Sequence, residues 1–329
     1  MFLQIFSKLV LRAAACGLIC LSFFANVSAA YPERPITLVV PYPPGGATDV
    51  IGRIVGKAIA DELKVSVVIE NKGGAAGAIG ATEVAKSKSD GYTLLLAALT
   101  SHAVYQNLYT KSVTFDLAKD FQAVSIVGEV PQVLVANPNI KVDSLSQFID
   151  QAKQNPGKYS IASAGNGSTQ QMAAIQLGYA ADIKLIQVPY RGSGPAMTDL
   201  LGGHVDAMFG TVPSVQEHVK SNKLRALIVT SEKRSPIMPD TPTASELGLH
   251  DFNVNSLFGV LAPSGTPKDE VEIIARAIEK GLQNSSVKRP LLNQGVIVDY
   301  RGPEQTRQAI KTELAKWRKV IDKAKIKAE

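Results

Sequence analysis

Cysteine is confined to Cys16 and Cys20, tryptophan occurs once, and histidine occurs four times in 329 residues. Both cysteines fall in the first 30 residues, which read as a secretory signal peptide. Lys8 and Arg12 precede an apolar run from Ala13 to Phe24, and Val27-Ser28-Ala29-Ala30 puts small residues where a signal peptidase needs them. The exported chain is therefore expected to start at Ala30 or Tyr31, with no thiol, no disulfide and no thiolate metal site. Ile19 is too bulky to precede a lipidated Cys20, and Cys16 sits too early in the apolar run, so no lipid anchor is expected. After the signal no stretch reaches the roughly 18 continuous apolar residues of a spanning helix. The periplasm is the compartment these features predict.

Other absences exclude function classes. His102, His204, His218 and His250 show no metal-ligand spacing, so no metal is expected. Gly74-Ala75-Ala76-Gly77-Ala78-Ile79-Gly80 lacks the Gly-x-Gly-x-x-Gly spacing of a dinucleotide loop, and there is no Gly-x-x-x-x-Gly-Lys-Ser/Thr phosphate loop. Neither Ser168 nor Ser193 sits in a Gly-x-Ser-x-Gly elbow. No cofactor and no catalytic constellation are implied, and a secreted hydrolase is the weaker alternative. The formal net charge is +6, of which Lys8 and Arg12 supply two, leaving +4 after the signal. The basic residues are dispersed and not interleaved with aromatics, which argues against nucleic acid and for weak steering of anionic solutes.

About 300 residues remain, more than one core usually serves, so two domains are expected. Short apolar strands alternate with amphipathic helices from Ile36 onward, which is the α/β pattern. One series runs through Ile36–Val40, Val65–Ile69 and Tyr92–Ala98. A second runs through Val133–Ala136, Tyr159–Ser163, a strand near Val188 and Val205–Phe209. Each series predicts its own open, mostly parallel sheet. If the terminal elements return to the first sheet, residues 31–128 with 227–329 form one lobe and 129–226 the other.

Three loops stand between a strand and a helix, where α/β sheets bind ligands. They are Pro41-Tyr42-Pro43-Pro44-Gly45-Gly46-Ala47-Thr48-Asp49, Ser163-Ala164-Gly165-Asn166-Gly167-Ser168-Thr169, and Val188-Pro189-Tyr190-Arg191-Gly192-Ser193-Gly194-Pro195. In the first, prolines stiffen the turn, glycines admit a ligand to the backbone, and Thr48 or Asp49 is placed to cap the helix. Free N–H groups and the positive end of the helix dipole suit a carboxylate or phosphate. Together the loops describe a cleft that grips an anion from two sides.

Further motifs occur in order: Tyr31-Pro32-Glu33-Arg34-Pro35-Ile36, Val68-Ile69-Glu70-Asn71-Lys72, Asp90-Gly91-Tyr92-Thr93-Leu94, Gly202-Gly203-His204-Val205-Asp206 and Ala262-Pro263-Ser264-Gly265-Thr266-Pro267. With the loops they resemble the Bug family, the TctC-like extracytoplasmic receptors of tripartite tricarboxylate transporters, over essentially the whole mature chain. The resemblance implies a two-domain periplasmic-binding-protein clamshell of type II kind, closing on a small organic carboxylate. It also implies TctA/TctB-like permease subunits as partners, and a monomer is expected. Gly45, Gly46, Ala47, Thr48 and Asp49 match the family's first carboxylate loop, and Ser163, Gly167, Ser168 and Thr169 match the second.

Asp49 suits a helix cap or a bridging water better than an anion. Thr100, Ser101 and His102 follow a strand and are expected in the same cleft, with His102 either a donor to a second carboxylate or a rim residue. Arg191 replaces a common lysine and suits either a two-pronged carboxylate contact or solvent. Asp206 suits a ligand amine or the fixing of a strand end. Gln171 and Leu257 replace a histidine and a tryptophan common in the family. Di- and tricarboxylates and aromatic acids all remain open as ligands, and a sensor for a membrane regulator is the alternative to transport.

Overall fold

The computed structural model describes residues 31–45, 47–190, 192–249, 252 and 254–326. The signal reading and the expected site residues Gly46 and Arg191 lie outside the described residues.

The first part of the chain alternates as expected: β1 (Ile36–Val40), α1 (Ala47–Leu63), β2 (Val67–Asn71), α2 (Ala78–Ala85), β3 (Thr93–Ala98) and α3 (Leu99–Leu108). A ten-residue strand, β4 (Phe121–Val130), then leads through Pro131 into β5 (Gln132–Ala136). The middle is α4 (Leu145–Gln154), β6 (Ser160–Ser163), α5 (Thr169–Ala181), β7 (Ile186–Pro189), α6 (Ser193–Gly202), β8 (Ala207–Thr211), α7 (Val212–Lys220) and β9 (Arg225–Val229). The chain ends in β10 (Ser256–Pro263), α8 (Lys268–Gln283), α9 (Ser285–Asn293), β11 (Ile297–Arg301) and α10 (Pro303–Ala324).

These strands form two sheets, ordered β11-β4-β10-β3-β1-β2 and β7-β6-β8-β5-β9. β1 is parallel to β2 and β3, and β6 is parallel to β7 and β8. Inverted strands enter beside each parallel set: β10 pairs antiparallel with β3 and β4, β11 pairs antiparallel with β4 at the edge, and β5 pairs antiparallel with β8 and β9. Hence the sheets are mixed rather than simply parallel, because each receives a strand from the segment that passes between them. Helices cover both sheets, giving two α/β lobes.

The chain leaves the first sheet later than expected. Glu129 and Val130 still pair with Leu257 and Ser256 in it, and Pro131 is the break. It also leaves the second sheet later, since β9 runs to Val229 and Val229 bridges to Thr243. The expected divisions at 128/129 and 226/227 thus fall inside β4 and β9, near the ends of these strands at Val130 and Val229.

α10 ties the C-terminus to the first lobe. Pro303 opens it, as suits a position whose N–H would have no helical partner. Trp317 is fully buried and donates from Nε1 to Glu313 Oε2 at 2.8 Å, while Asn107 Nδ2 on α3 donates to Leu314 O at 3.0 Å. Removing the indole takes away a large apolar contact and a satisfied buried donor together. Trp317→Ala is expected to lower unfolding free energy by about 3–5 kcal/mol, read by chemical denaturation.

Candidate functional site

The carboxyl ends of β1, β3 and β6 feed the loops that carry most of the expected site residues. After β1 the chain turns at exposed Gly45, whose φ of +85° favours glycine. α1 begins at Ala47, so Thr48 and Asp49 lie in its first turn and neither is the residue before it. Asp49 is 3% exposed, and its carboxylate is fully engaged. It accepts from Gly45 N at 2.9 Å, Arg53 Nε at 3.0 Å and Asn71 Nδ2 at 2.9 Å. Burial alone would raise its pKa, but the bonds from Arg53, Gly45 and Asn71 outweigh burial and hold it below the usual value. Asp49 is therefore an internal brace that fixes the turn against β2. Exposed Ala47 and half-buried Thr48 lie at the open end of the helix, where backbone N–H groups have no intrahelical partner.

The second loop is braced in a similar way. Gly165 and Gly167 have φ of +119° and +79°. Gln171 N donates to Ser168 Oγ at 3.2 Å, which makes Ser168 the cap of α5. The Gln171 side chain accepts from Gly167 N at 2.8 Å and donates to Asn166 Oδ1 at 2.9 Å. Gln171 thus stiffens the loop from inside instead of lining a chamber, and it occupies the Gly167 N–H expected to face a ligand. Ser163 is 1% exposed, and its hydroxyl has no hydrogen-bond partner among the described residues.

Thr169, the first residue of α5, brings the two lobes together. Its Oγ1 lies 3.4 Å from Ser101 Oγ at the start of α3 and 3.4 Å from Ser256 Oγ at the start of β10. Gln132 Nε2 donates to Ser256 Oγ at 3.3 Å. These distances exceed a good O–H···O bond, so the hydroxyls approach one another without being saturated. Tyr42, from the first loop, donates to Ala76 O at 3.1 Å. Burial pushes its phenol pKa up to about 12 against a lowering bond from Ser101, so it stays neutral. Tyr42, Ser256 and Gln132 were not among the expected site residues. Tyr42 lies within the first loop, whose prolines and glycines signal backbone shape more strongly than a side-chain role.

Three expected residues are enclosed by, or bonded to, other parts of the chain. The Thr100 hydroxyl accepts from Leu257 N at 3.1 Å and lies 2.8 Å from Glu313 Oε2 and 3.0 Å from Asn255 O, which makes it an anchor between α3, β10 and α10. His102 is fully buried, edge-on to Phe115 with ring centroids 5.8 Å apart, so it is not a rim residue, and neither ring nitrogen has a hydrogen-bond partner among the described residues. Asp206 accepts from Ser160 N and Ser160 Oγ, both at 2.7 Å. That pair clamps the amino ends of β6 and β8, roughly 10 Å along the strand from Ser163 by strand rise. Asp206 therefore fixes a strand end, far from the loops.

Two α/β lobes that meet where Ser101 and Ser256 of one approach Thr169, at the capped start of α5, in the other define a solute-binding protein of the periplasmic clamshell class. Residues 51–326 match the model of the tripartite tricarboxylate transporter family receptor, TctC, and the chain belongs to that family. Its members are solute-binding receptors, not enzymes. The chain is 41% identical to protein BugT of Bordetella pertussis over 300 residues, 90% of this chain and 91% of that protein. It is similar in structure to Rpa4515 of R. palustris, solved with adipate, at 30% identity and a TM-score of 0.80 over 90% of this chain and 99% of that one. It also resembles MatC of Rhodopseudomonas palustris with bound malate, at 31% identity and a TM-score of 0.75 over 88% and 100%. Among the described residues no helix is long and apolar enough to cross a membrane.

His102 gives a test of the buried side of this site. Burial lowers its pKa to about 4, with the Gly77 backbone opposing weakly. Unfolded histidine titrates near 6.5, so between these values the unfolded chain binds a proton that the folded chain refuses. Stability from this residue is full above pH 6.5 and is lost as pH falls toward 4, by up to about 3 kcal/mol. Denaturation across pH 4–7 is expected to show this slope in the wild type and a shallower one in His102→Leu.

Proposed function

We propose that the chain is a periplasmic receptor that captures a small organic carboxylate between its lobes and delivers it to TctA/TctB-like permease subunits. The approach of Ser101 and Thr169 hydroxyls from opposite lobes carries this reading, because a ligand seated there touches both halves and favours closure. Ala47 and Thr48 offer the helix-start backbone and a hydroxyl on one side, with Gly45 shaping the turn through its bond to Asp49, and the hydroxyls of Ser168 and Thr169 stand on the other. Gly46 keeps the role the sequence motif implies, and Arg191 is the cation that the third loop carries in the sequence. Asp49, Gln171 and Thr100 act by holding these groups in place. Adipate and malate in the two solved relatives support a di- or hydroxy-acid as the ligand class. The sequence pattern of residues 1–30 supports export by a cleaved signal.

A melting screen over organic acids tests the reading. An acid at about 100 times its dissociation constant is expected to stabilise the fold by roughly 2.7 kcal/mol. Ser168→Ala, measured by calorimetry, is expected to weaken that acid by about 1.5–3 kcal/mol through loss of one bond to a charged group. Stabilisation by a sugar or a cation and by no carboxylate would contradict the proposal.

A further inference from the structure

Gln132 is the first residue of β5, next to Pro131, where the chain passes from the first sheet to the second. It is 0% exposed. Its backbone is tied twice to Thr230, which follows β9: Gln132 N donates to Thr230 Oγ1 at 2.8 Å, and Thr230 N donates to Gln132 O at 2.9 Å. Thr230 Oγ1 also lies 2.8 Å from Asn255 Oδ1, beside Ser256 at the start of β10. The segments that carry the chain between the sheets are thus joined at Gln132, and the base of its side chain is held in place.

The amide at the end of that side chain is only half committed. Nε2 donates to Ser256 Oγ at 3.3 Å, and Ser256 Oγ directs its own proton toward Thr169 Oγ1 at 3.4 Å. A hydroxyl has one proton to give, so the amide atom facing Ser256 is the donor and Oε1 points elsewhere. Oε1 is buried and has no hydrogen-bond partner among the described residues. Ser163 Oγ, 1% exposed at the end of the strand whose loop leads to Thr169, is unpartnered in the same sense. A buried acceptor left unpaired costs more than an ordinary hydrogen bond returns, so its retention beside the contact of the lobes calls for an occupant from outside the chain.

The chemistry of that occupant follows from the atom. An amide oxygen accepts from O–H or N–H and repels a carboxylate, so it serves a donor on the ligand and not the acid group itself. An ammonium would need a counter-charge. Asp49 is already engaged by Gly45, Arg53 and Asn71, and Asp206 is bonded to Ser160 at the far strand ends. A hydroxyl needs no such partner.

We infer that Gln132 is a specificity-determining residue, its Oε1 accepting from a hydroxyl carried by the bound acid, so that the site selects a hydroxy acid over the same acid without the hydroxyl. The inference rests on the receptor reading above and adds which carboxylates that receptor prefers.

Calorimetry with matched pairs reads the preference as a ratio of dissociation constants: succinate with malate, glutarate with 2-hydroxyglutarate, and adipate with 2-hydroxyadipate. Aspartate serves as the ammonium counterpart of malate. In the pair that binds best, the wild type is expected to hold the hydroxylated member at least about fivefold more tightly, and Gln132→Leu is expected to bring the ratio close to one. Gln132→Met, which keeps the length of the side chain, takes its place if a melting curve shows that the leucine variant does not fold. Equal weakening of both members would overturn the inference by assigning Gln132 to the support of Ser256 alone. No preference in the wild type, a preference that survives the substitution, or tighter binding of aspartate than of malate would each overturn it as well. If none of these acids binds while another carboxylate raises the melting temperature, the inference fails and the receptor reading stands. A melting screen in which no carboxylate acts would instead remove the receptor reading, and the inference with it.

Discussion

The structure turns on a meeting of neutral hydroxyls: Ser101 and Ser256 from one lobe reach Thr169 from the other at 3.4 Å, with Gln132 and Tyr42 behind them. Among the described residues no charge pair joins Ser101, Ser256 and Thr169, so at this contact a ligand has no internal ion pair to break. A carboxylate is a better acceptor than another hydroxyl, and its bonds are roughly twice as strong as neutral ones. The lobes thus meet through groups whose best partner is an anion supplied from outside. The helix starts of α1 and α5 add backbone N–H groups and a favourable dipole to the same edge.

Charged and amide side chains do their work one layer below. Asp49 ties Gly45, Arg53 and Asn71, Gln171 ties Gly167 and Asn166, and Thr100 ties β10 to α10. Each leaves the cleft surface to small residues while fixing the backbone that shapes it. Loops held in one geometry before binding lose less entropy on binding, which raises affinity without adding contacts. The charged residues of the motif are therefore braces, and the ones that face the partner lobe are hydroxyls.

The fold was largely legible because its signals are local. Ile36–Val40 followed by a Pro/Gly turn and an amphipathic run could only be a strand, loop and helix, and the same grammar recurs at Ser163 and Val188. Strand β4 escaped notice because its apolar run continues past Pro131 into β5, so one long crossing segment hides two strands in different sheets. The site was legible as backbone and misleading as side chains. Thr100 follows a strand that ends at the cleft, yet its partners Asn255 and Glu313 lie 155 and 213 residues away, beyond any local pattern. His102 is two residues further along the same helix, and helical rotation alone turns it from the cleft into the core beside Phe115. Asp206 follows a family motif at the amino end of its strand, the wrong edge of the sheet for a ligand.

The central claim is that an acid bound at the Ser101–Thr169 contact draws the lobes together, and a distance between the lobes tests it most directly. Because both cysteines lie in the first 20 residues, a chain starting at Tyr31 offers a thiol-free background for labelling. Spin labels on K86C and K184C, exposed positions on opposite lobes, report that distance by pulsed electron resonance. Saturation with the acid most active in the melting screen is expected to narrow the distance distribution and shorten its mean, and Thr169→Val is expected to blunt both changes. An acid that binds one to one by calorimetry while leaving the distribution untouched in both proteins would contradict the account.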